Sequence, residues 1–136
     1  MKLLFVLVVA CSPPARAPEQ PPPEKTAQLN QPGQVVDIEK GLVPGYVTVV
    51  DFWAEWCGAC HVVGDMLSAG VANQPKVIIR KVDVGADAFT PVAAAYQIGG
   101  LPHYRVYDKH GKMRYLLVGN DCTKAPDIAK QLAAEP

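Results

Sequence analysis

The feature that most constrains this chain is an apolar segment that is followed at once by a pair of cysteines. Residues 46–53 are rich in Val and aromatic side chains, which predicts a strand buried on both faces. Beyond Trp56 the apolar residues recur at helical spacing, so a helix follows this strand directly. Cys57 therefore lies at the N-terminus of that helix, and Cys60 lies about one turn further on.

This position gives the two cysteines different chemistry. Unpaired backbone N–H groups and the helix dipole stabilise a thiolate at a helix N-terminus, and they lower the thiol pKa from about 8.5 to roughly 3.5–7.5 in such motifs. We therefore expect Cys57 to be the nucleophile. Cys60 is near enough to form a disulfide with Cys57, and its lower exposure suits a thiol that resolves a mixed disulfide. The pair is predicted to be a reversible two-electron couple.

One carboxylate, Asp51, interrupts the apolar strand. Burying a carboxylate is costly unless it has a partner, and burial raises its pKa above the usual value of about 3.9. Asp51 is therefore a candidate base next to the cysteines. The structural alternative is an aspartate that only pairs with Lys81.

The segment 51–60 resembles the active-site segment of the thioredoxin family, and the resemblance extends from Gly33 to the C-terminus. Leu101-Pro102 resembles the family's cis-proline loop, which faces the dithiol. The resemblance implies an α/β thioredoxin fold, in which a central mixed β-sheet is flanked by helices on both faces. Two further residues match family positions, a buried lysine near the acid and a glycine before the last helix: Lys81 and Gly119.

The resemblance also implies roles for individual residues. In the family, an acid at the position of Asp51 exchanges the proton of the second cysteine, here Cys60, through water. The backbone of Leu101 would pair with an extended substrate beside Pro102, with little sequence preference. Trp56 would offer that substrate an apolar surface, although structural packing explains Trp56 almost as well.

The residues between the cysteines depart from the family pattern. Gly58 and Ala59 form the active-site loop, and Ala59 stands where thioredoxins proper carry proline. This pair influences the reduction potential in the family, so the direction of electron flow stays open. A protein-disulfide reductase is favoured over an oxidase or isomerase, because a buried acid helps to ionise the second thiol. The expected partners are protein disulfides and an upstream dithiol electron donor, for which a membrane-embedded protein is one option.

The periodicity of the chain places the elements coarsely. We predict one compact domain over residues 33–136, with a short first strand at 34–38 and at most a stunted helix at 37–42. The final strands flank a turn-rich gap that implies a hairpin. The predicted strands are 46–53, 77–84, 104–107 and 113–118, and the predicted helices are 58–72, 90–96 and 123–133.

The first residues form a separate piece. Residues 1–10 have a basic start and an apolar core far short of the ~20 residues that span a bilayer, which predicts a signal peptide. The sequence before Cys11 resembles a bacterial lipobox, so Cys11 is the expected lipidation site and membrane anchor. An ordinary cleaved signal that leaves Cys11 as a thiol is the alternative. We therefore expect an exported lipoprotein that faces the bacterial periplasm.

A proline-rich stretch follows the predicted anchor. Residues 11–32 contain seven of the thirteen prolines, and such a composition favours a disordered tether. The whole chain has thirteen basic and thirteen acidic residues, so it lacks the basic character of nucleic-acid-binding proteins. We expect a monomer with protein partners.

Two other functions fit the same residues less well. Cys57 to His61 also satisfies C-x-x-C-H, the attachment pattern of c-type haem, with Met66 or Met113 as a distal ligand. A metal-binding module could use the two thiolates with His61 or His103, but structural zinc sites have four ligands in paired clusters. The thioredoxin interpretation requires no cofactor and no metal. Cys122 remains as an odd cysteine, most commonly a buried and inert residue.

Overall fold

A five-stranded mixed sheet forms the centre of the protein, as a computed structural model shows for residues 11–87 and 89–136. The strand order is β1-β3-β2-β4-β5; β1, β2 and β3 are parallel, and β4 and β5 are antiparallel to their neighbours. The strands are β1 (Thr26–Gln28), β2 (Val47–Trp53), β3 (Val77–Asp83), β4 (His103–Tyr107) and β5 (Met113–Val118). The α-helices are α1 (Gly58–Val71), α2 (Pro91–Ala95) and α3 (Ala125–Ala134), and 3-10 helices cover Ile38–Gly41 and Gly119–Lys124.

Both faces of the sheet are covered, which confirms the predicted thioredoxin fold. The central strand β2 alternates between two core layers, and this explains its unbroken apolar sequence. The layer under α1 and α3 includes Val47, Val49, Val63, Leu67, Tyr104, Val106 and Leu117. The layer under α2 and the first 3-10 helix includes Ile38, Val50, Phe52, Val82, Val92, Ile98 and Tyr107.

The topology brings distant segments to one end of the sheet, here called the dithiol end. Parallel strands share their carboxyl ends, so β2 leads into Cys57 at the same end where β3 leads into Gly85. Strand β4 runs the other way and begins there, directly after Pro102, since His103 pairs with Phe52. Residues 57, 85 and 102 thus meet although the chain separates them widely.

The folded domain begins earlier than predicted. The composition of residues 11–32 predicts a disordered tether, but Thr26–Gln28 form strand β1 on β3. Main-chain bonds hold this segment: Ile79 N–H donates to Lys25 O at 2.8 Å, and Leu29 N–H donates to Lys81 O at 2.9 Å. Three residues are too few for an apolar alternation, and the prolines before them dominate the composition. Residues 11–22 are exposed and form no helix or strand.

Other boundaries also differ from the sequence prediction. Residues 34–38 form no strand; instead Asp37 caps the 3-10 helix by accepting a hydrogen bond from Glu39 N–H at 3.1 Å. Helix α3 begins at Ala125, because a 3-10 helix occupies the preceding residues. The predicted signal peptide, residues 1–10, lies outside the described residues. Among the described residues, no helix is long and apolar enough to cross a membrane.

The earlier domain start can be tested by truncation. Removing residues 1–23 should leave the free energy of unfolding within about 0.5 kcal/mol, because residues 11–22 are exposed and belong to no helix or strand. Removing residues 1–31 should cost about 2–4 kcal/mol, since it deletes several buried hydrogen bonds worth about 1 kcal/mol each, including those of Asn30 with Asp83. Urea titration measures both values. Equal stability of the two truncated chains would contradict the assignment of β1 to the domain.

Candidate active site

Cys57 and Cys60 form a disulfide at the start of α1, with their Cα atoms 5.2 Å apart. Cys57 is the N-cap of the helix, and its Sγ accepts a hydrogen bond from the Cys60 backbone N–H at 3.2 Å. Cys57 is 7 % exposed and Cys60 is 3 % exposed. Both residues are buried, Cys57 slightly less so, and a helix-terminal N–H donates to its sulfur.

Asp51 lies near the middle of the sheet and is only 1 % exposed. It stands between Lys81 of β3 and Tyr104 of β4 in the strand register. Its Oδ2 is 4.0 Å from Lys81 Nζ, and Oδ1 has no hydrogen-bond partner within the described residues. Burial raises the pKa of this carboxyl to about 7, while the nearby charges of Lys81 and His61 oppose the shift. Asp51 can therefore exchange a proton near neutral pH.

A small cavity connects Asp51 with Cys60. Its volume is about 100 Å³, which is room for water. Gly64 lines the cavity next to the carboxylate, where a Cβ would be in van der Waals contact with Asp51 Oδ2 at 3.8 Å. The other lining residues are Thr26, His61, Asp65, Leu67, Ser68, Ile79 and Lys81.

The indole of Trp53 contacts two of the residues that line this cavity, Lys81 and His61. Lys81 Nζ lies 4.2 Å from the centre of the Trp53 ring, and the His61 ring packs edge-on at 5.7 Å. The Trp53 Nε1–H donates to Gln28 Oε1 at 3.2 Å, so strand β1 holds the indole in place. Gln28 lies in the stretch whose composition predicts a tether, so the sequence does not indicate its role at the site. No local pattern identifies it, since the contact joins positions 28 and 53.

A groove lies beside Trp56, the residue that precedes Cys57. Trp56 is exposed, and its Nε1–H donates to Gly85 O at 2.8 Å. The Asp83 carboxylate accepts from Gly85 N–H at 2.8 Å and holds this loop. The groove has a volume of about 220 Å³ and is lined by Trp56, Val84, Ala93, Ile98, Gly99, Gly100 and Leu101.

The Leu101–Pro102 peptide bond is cis, and Pro102 is buried. Its carbonyl oxygen accepts a hydrogen bond from Gly119 N–H at 2.8 Å. Cys122 is fully buried, with its Sγ 3.5 Å from the same oxygen. Burial raises the pKa of the Cys122 thiol to about 12, so this cysteine is a packing residue behind the loop.

The remaining predicted residues lie in distinct places. Gly58 and Ala59 are exposed on the first turn of α1. Cys11 is exposed and belongs to no element. His61 is also exposed, and its Nε2 lies 2.8 Å from Glu55 O.

His103 packs inside the α2 side of the sheet. Its ring meets Phe52 edge-on at 5.4 Å, and burial, with the charge of Arg105, lowers its pKa to about 4. Arg105 extends across the rings of Phe52 and Tyr96. In the part of the chain that the structure describes, no three His, Cys, Asp or Glu side chains converge as a metal site.

Known proteins resemble this chain in sequence. The family model described as Thioredoxin matches residues 38–134. A thioredoxin of Mycoplasma pneumoniae is 37 % identical over 71 residues, which cover 52 % of this chain and 67 % of that protein. A thioredoxin H-type 1 of Nicotiana tabacum is 36 % identical over 82 residues, covering 60 % and 63 %. The chain thus spans about two thirds of the length of these two relatives.

Solved structures agree with the sequence comparison. The thioredoxin of Malassezia sympodialis superposes with a TM-score of 0.57 at 27 % identity, covering 71 % of this chain and 86 % of that one. The thioredoxin of Schistosoma mansoni gives a TM-score of 0.60 at 26 % identity, covering 80 % and 99 %. Together with the cysteine pair at the start of α1, these matches assign the chain to the thioredoxin family, a family of thiol-disulfide oxidoreductases.

Proposed function

We propose that this protein reduces disulfides of client proteins from a membrane anchor on the exported side of a bacterial membrane. One observation carries the catalytic part of this proposal. A water-sized cavity joins Cys60 to the buried Asp51, whose pKa is raised to about 7. A proton can therefore leave the second thiol without leaving the site.

Reduction proceeds by two thiol–disulfide exchanges. The Cys57 thiolate attacks one sulfur of the client disulfide; a mixed disulfide forms, and the other client sulfur departs as a thiolate. Asp51 then accepts the Cys60 proton through water, and the Cys60 thiolate attacks Cys57 Sγ. The second client thiolate departs and is protonated. Two electrons pass from the dithiol to the client, and an upstream dithiol must restore the pair.

The groove and its loop supply the client site. Trp56 and Leu101 offer apolar surface beside Cys57, and the loop at Pro102 leaves main-chain groups for pairing with an extended client segment. Main-chain pairing gives affinity with little dependence on client sequence. An oxidase or isomerase of the same fold is the second candidate, because Ala59 leaves the reduction potential open.

The position of the N-terminal segment is consistent with anchoring. Lys25 precedes β1 at the end of the sheet opposite Cys57, where its Nζ donates to Gln74 O at 2.6 Å and Val77 O at 2.7 Å. An extended tether of residues 11–23 reaches about 40 Å at 3.1 Å per residue. Lipid on Cys11 would hold the far end of the domain toward the membrane and leave the dithiol facing its clients.

The roles of the two cysteines can be separated by substitution. Cys57→Ser should abolish the reduction of insulin disulfides, because no attacking sulfur remains. Cys60→Ser should accumulate mixed disulfides with clients, which non-reducing gels detect. Cys11→Ser should keep the wild-type rate in a membrane-free assay. Normal turnover by Cys57→Ser would refute the proposed mechanism.

The role of Asp51 is visible in the pH dependence of the second step. With a peptide held on Cys57 as a mixed disulfide, the rate of its release should rise with pH through about 7 as Asp51 loses its proton. Asp51→Asn should slow release about 10- to 100-fold at pH 7 and remove that inflection. Stopped-flow measurement of peptide release gives both values. The exposed Asp127→Asn serves as the control, and a retained inflection in Asp51→Asn would exclude Asp51 as the proton acceptor.

The same carboxyl should affect stability. A raised pKa in the folded state means that folding favours protonated Asp51, so its contribution is present below pH about 4 and is lost as the pH rises to about 7. The oxidised wild type should therefore lose about 2–4 kcal/mol relative to Asp51→Asn over that range. Urea titrations of both proteins at a series of pH values measure the difference. Parallel curves would show that Asp51 ionises normally.

A further inference from the structure

We propose that strand β5 is a second contact surface for clients, and that it binds an extended apolar segment of the polypeptide whose disulfide reacts at Cys57. This inference rests on the proposed function. It adds a binding surface away from the cysteines, at which an extended protein substrate makes contacts that a small disulfide cannot make.

The strand is exposed and apolar. It ends the sheet, so its outer edge has no strand partner among the described residues. Leu116 is 50 % exposed, and three other large apolar side chains of the strand are exposed as well: Met113, Tyr115 and Val118. Exposed strand edges of this kind pair readily with other chains, and many proteins block them with charges or proline.

Nothing on β5 blocks its edge in that way. The strand contains no proline and no acid, and its one charged residue is Arg114. The Arg114 guanidinium is held by two carboxylates, Asp108 at 3.3 Å and Glu135 at 2.9 Å. The Arg114 charge is therefore paired within the domain and does not block the strand edge.

Leu116 and Val118 lie on one face of the sheet, and Met113 joins them because the register shift between Val106 and Tyr107 places it across from Tyr107. Leu117 points into the core under α1 and α3, so Leu116 and Val118 point to the opposite face. In the strand register they lie across from Arg105 and His103. This is the face that α2 covers nearer the centre of the sheet, and α2 leaves β5 uncovered.

This face continues the active-site groove. A Cβ added to Gly100 would stand 3.4 Å from Val118 Cγ1, so Val118 adjoins the segment that forms the groove wall. An apolar surface therefore runs from Trp56 and Leu101 across Gly100 onto β5. A client that lies in the groove can extend along the six residues of β5, a distance of roughly 20 Å.

An extended polypeptide fits this surface better than a second copy of the chain. The edge offers main-chain donors and acceptors for a sixth strand, and alternate apolar side chains of that strand would meet Leu116 and Val118. Two copies joined through one six-residue strand would bury roughly several hundred Å², well below the roughly 1,200 Å² of a stable interface. The occupant is therefore a client segment with apolar residues at alternate positions.

Two peptides of different length test the proposal. Both carry one cysteine as a mixed disulfide with nitrothiobenzoate; the long peptide adds six residues of alternating Val and Thr on each side. The Cys57 thiolate of the reduced full chain attacks the peptide sulfur, and the coloured nitrothiobenzoate thiolate departs. The wild type should react about five- to tenfold faster with the long peptide. Leu116→Glu and Met113→Glu should lose this advantage and keep the wild-type rate with the short peptide.

A matched control lies on the other face of the sheet. Met66 on α1 is 47 % exposed, so Met66→Glu adds the same charge at similar exposure and should keep the advantage of the long peptide. Equal wild-type rates with the two peptides, or an advantage that survives both β5 substitutions, would overturn the proposal. A dimer in sedimentation that Leu116→Glu dissociates would also overturn it, because a second copy would then occupy β5. If neither peptide reacts with the wild type, the proposed function itself fails, and this inference fails with it.

Discussion

The burial of one carboxylate in the central strand is the constraint on which the site depends. Asp51 is surrounded by sheet on both sides, and loss of hydration keeps its pKa near neutrality in spite of Lys81. Neighbouring residues determine the surroundings of this carboxylate. Gly64 places no side chain beside it. Lys81, whose charge lowers the pKa of Asp51, packs over the Trp53 indole. The register of β2 places this carboxyl beside the small cavity that also reaches Cys60.

The cysteines lie at one end of the sheet, and the chain enters the domain at the other end. At the dithiol end, three loops that are distant in sequence converge, and two of them are held by hydrogen bonds: Gly85 N–H donates to the Asp83 carboxylate, and Gly119 N–H donates to Pro102 O. At the opposite end the chain enters through Lys25, whose ammonium binds carbonyls that precede and begin β3. Reactive groups and chain entry are thereby kept apart without any additional domain.

The sequence was informative wherever the pattern is local. The apolar run of β2, the helical spacing after Trp56 and the turn between the last strands predicted the fold class, and the C-x-x-C spacing predicted the bonded cysteines. It was uninformative where long-range contacts decide. Strand β1 buries little apolar surface, so composition assigned it to a tether. Gln28 and Gly85 accept hydrogen bonds from the indoles of Trp53 and Trp56, which lie far away in sequence. No spacing rule predicts such pairs.

The parallel alignment of β1 with β3 has a mechanical consequence. A pull on the residues before Lys25 acts along the axis of β1, so its bonds to β3 resist together in shear instead of opening one after another. Because Gln28 is the last residue of β1, displacement of the strand would also remove its hydrogen bond to the Trp53 indole. Tension on the N-terminal segment would thus act on Trp53, which contacts Lys81 and His61 of the cavity beside Asp51.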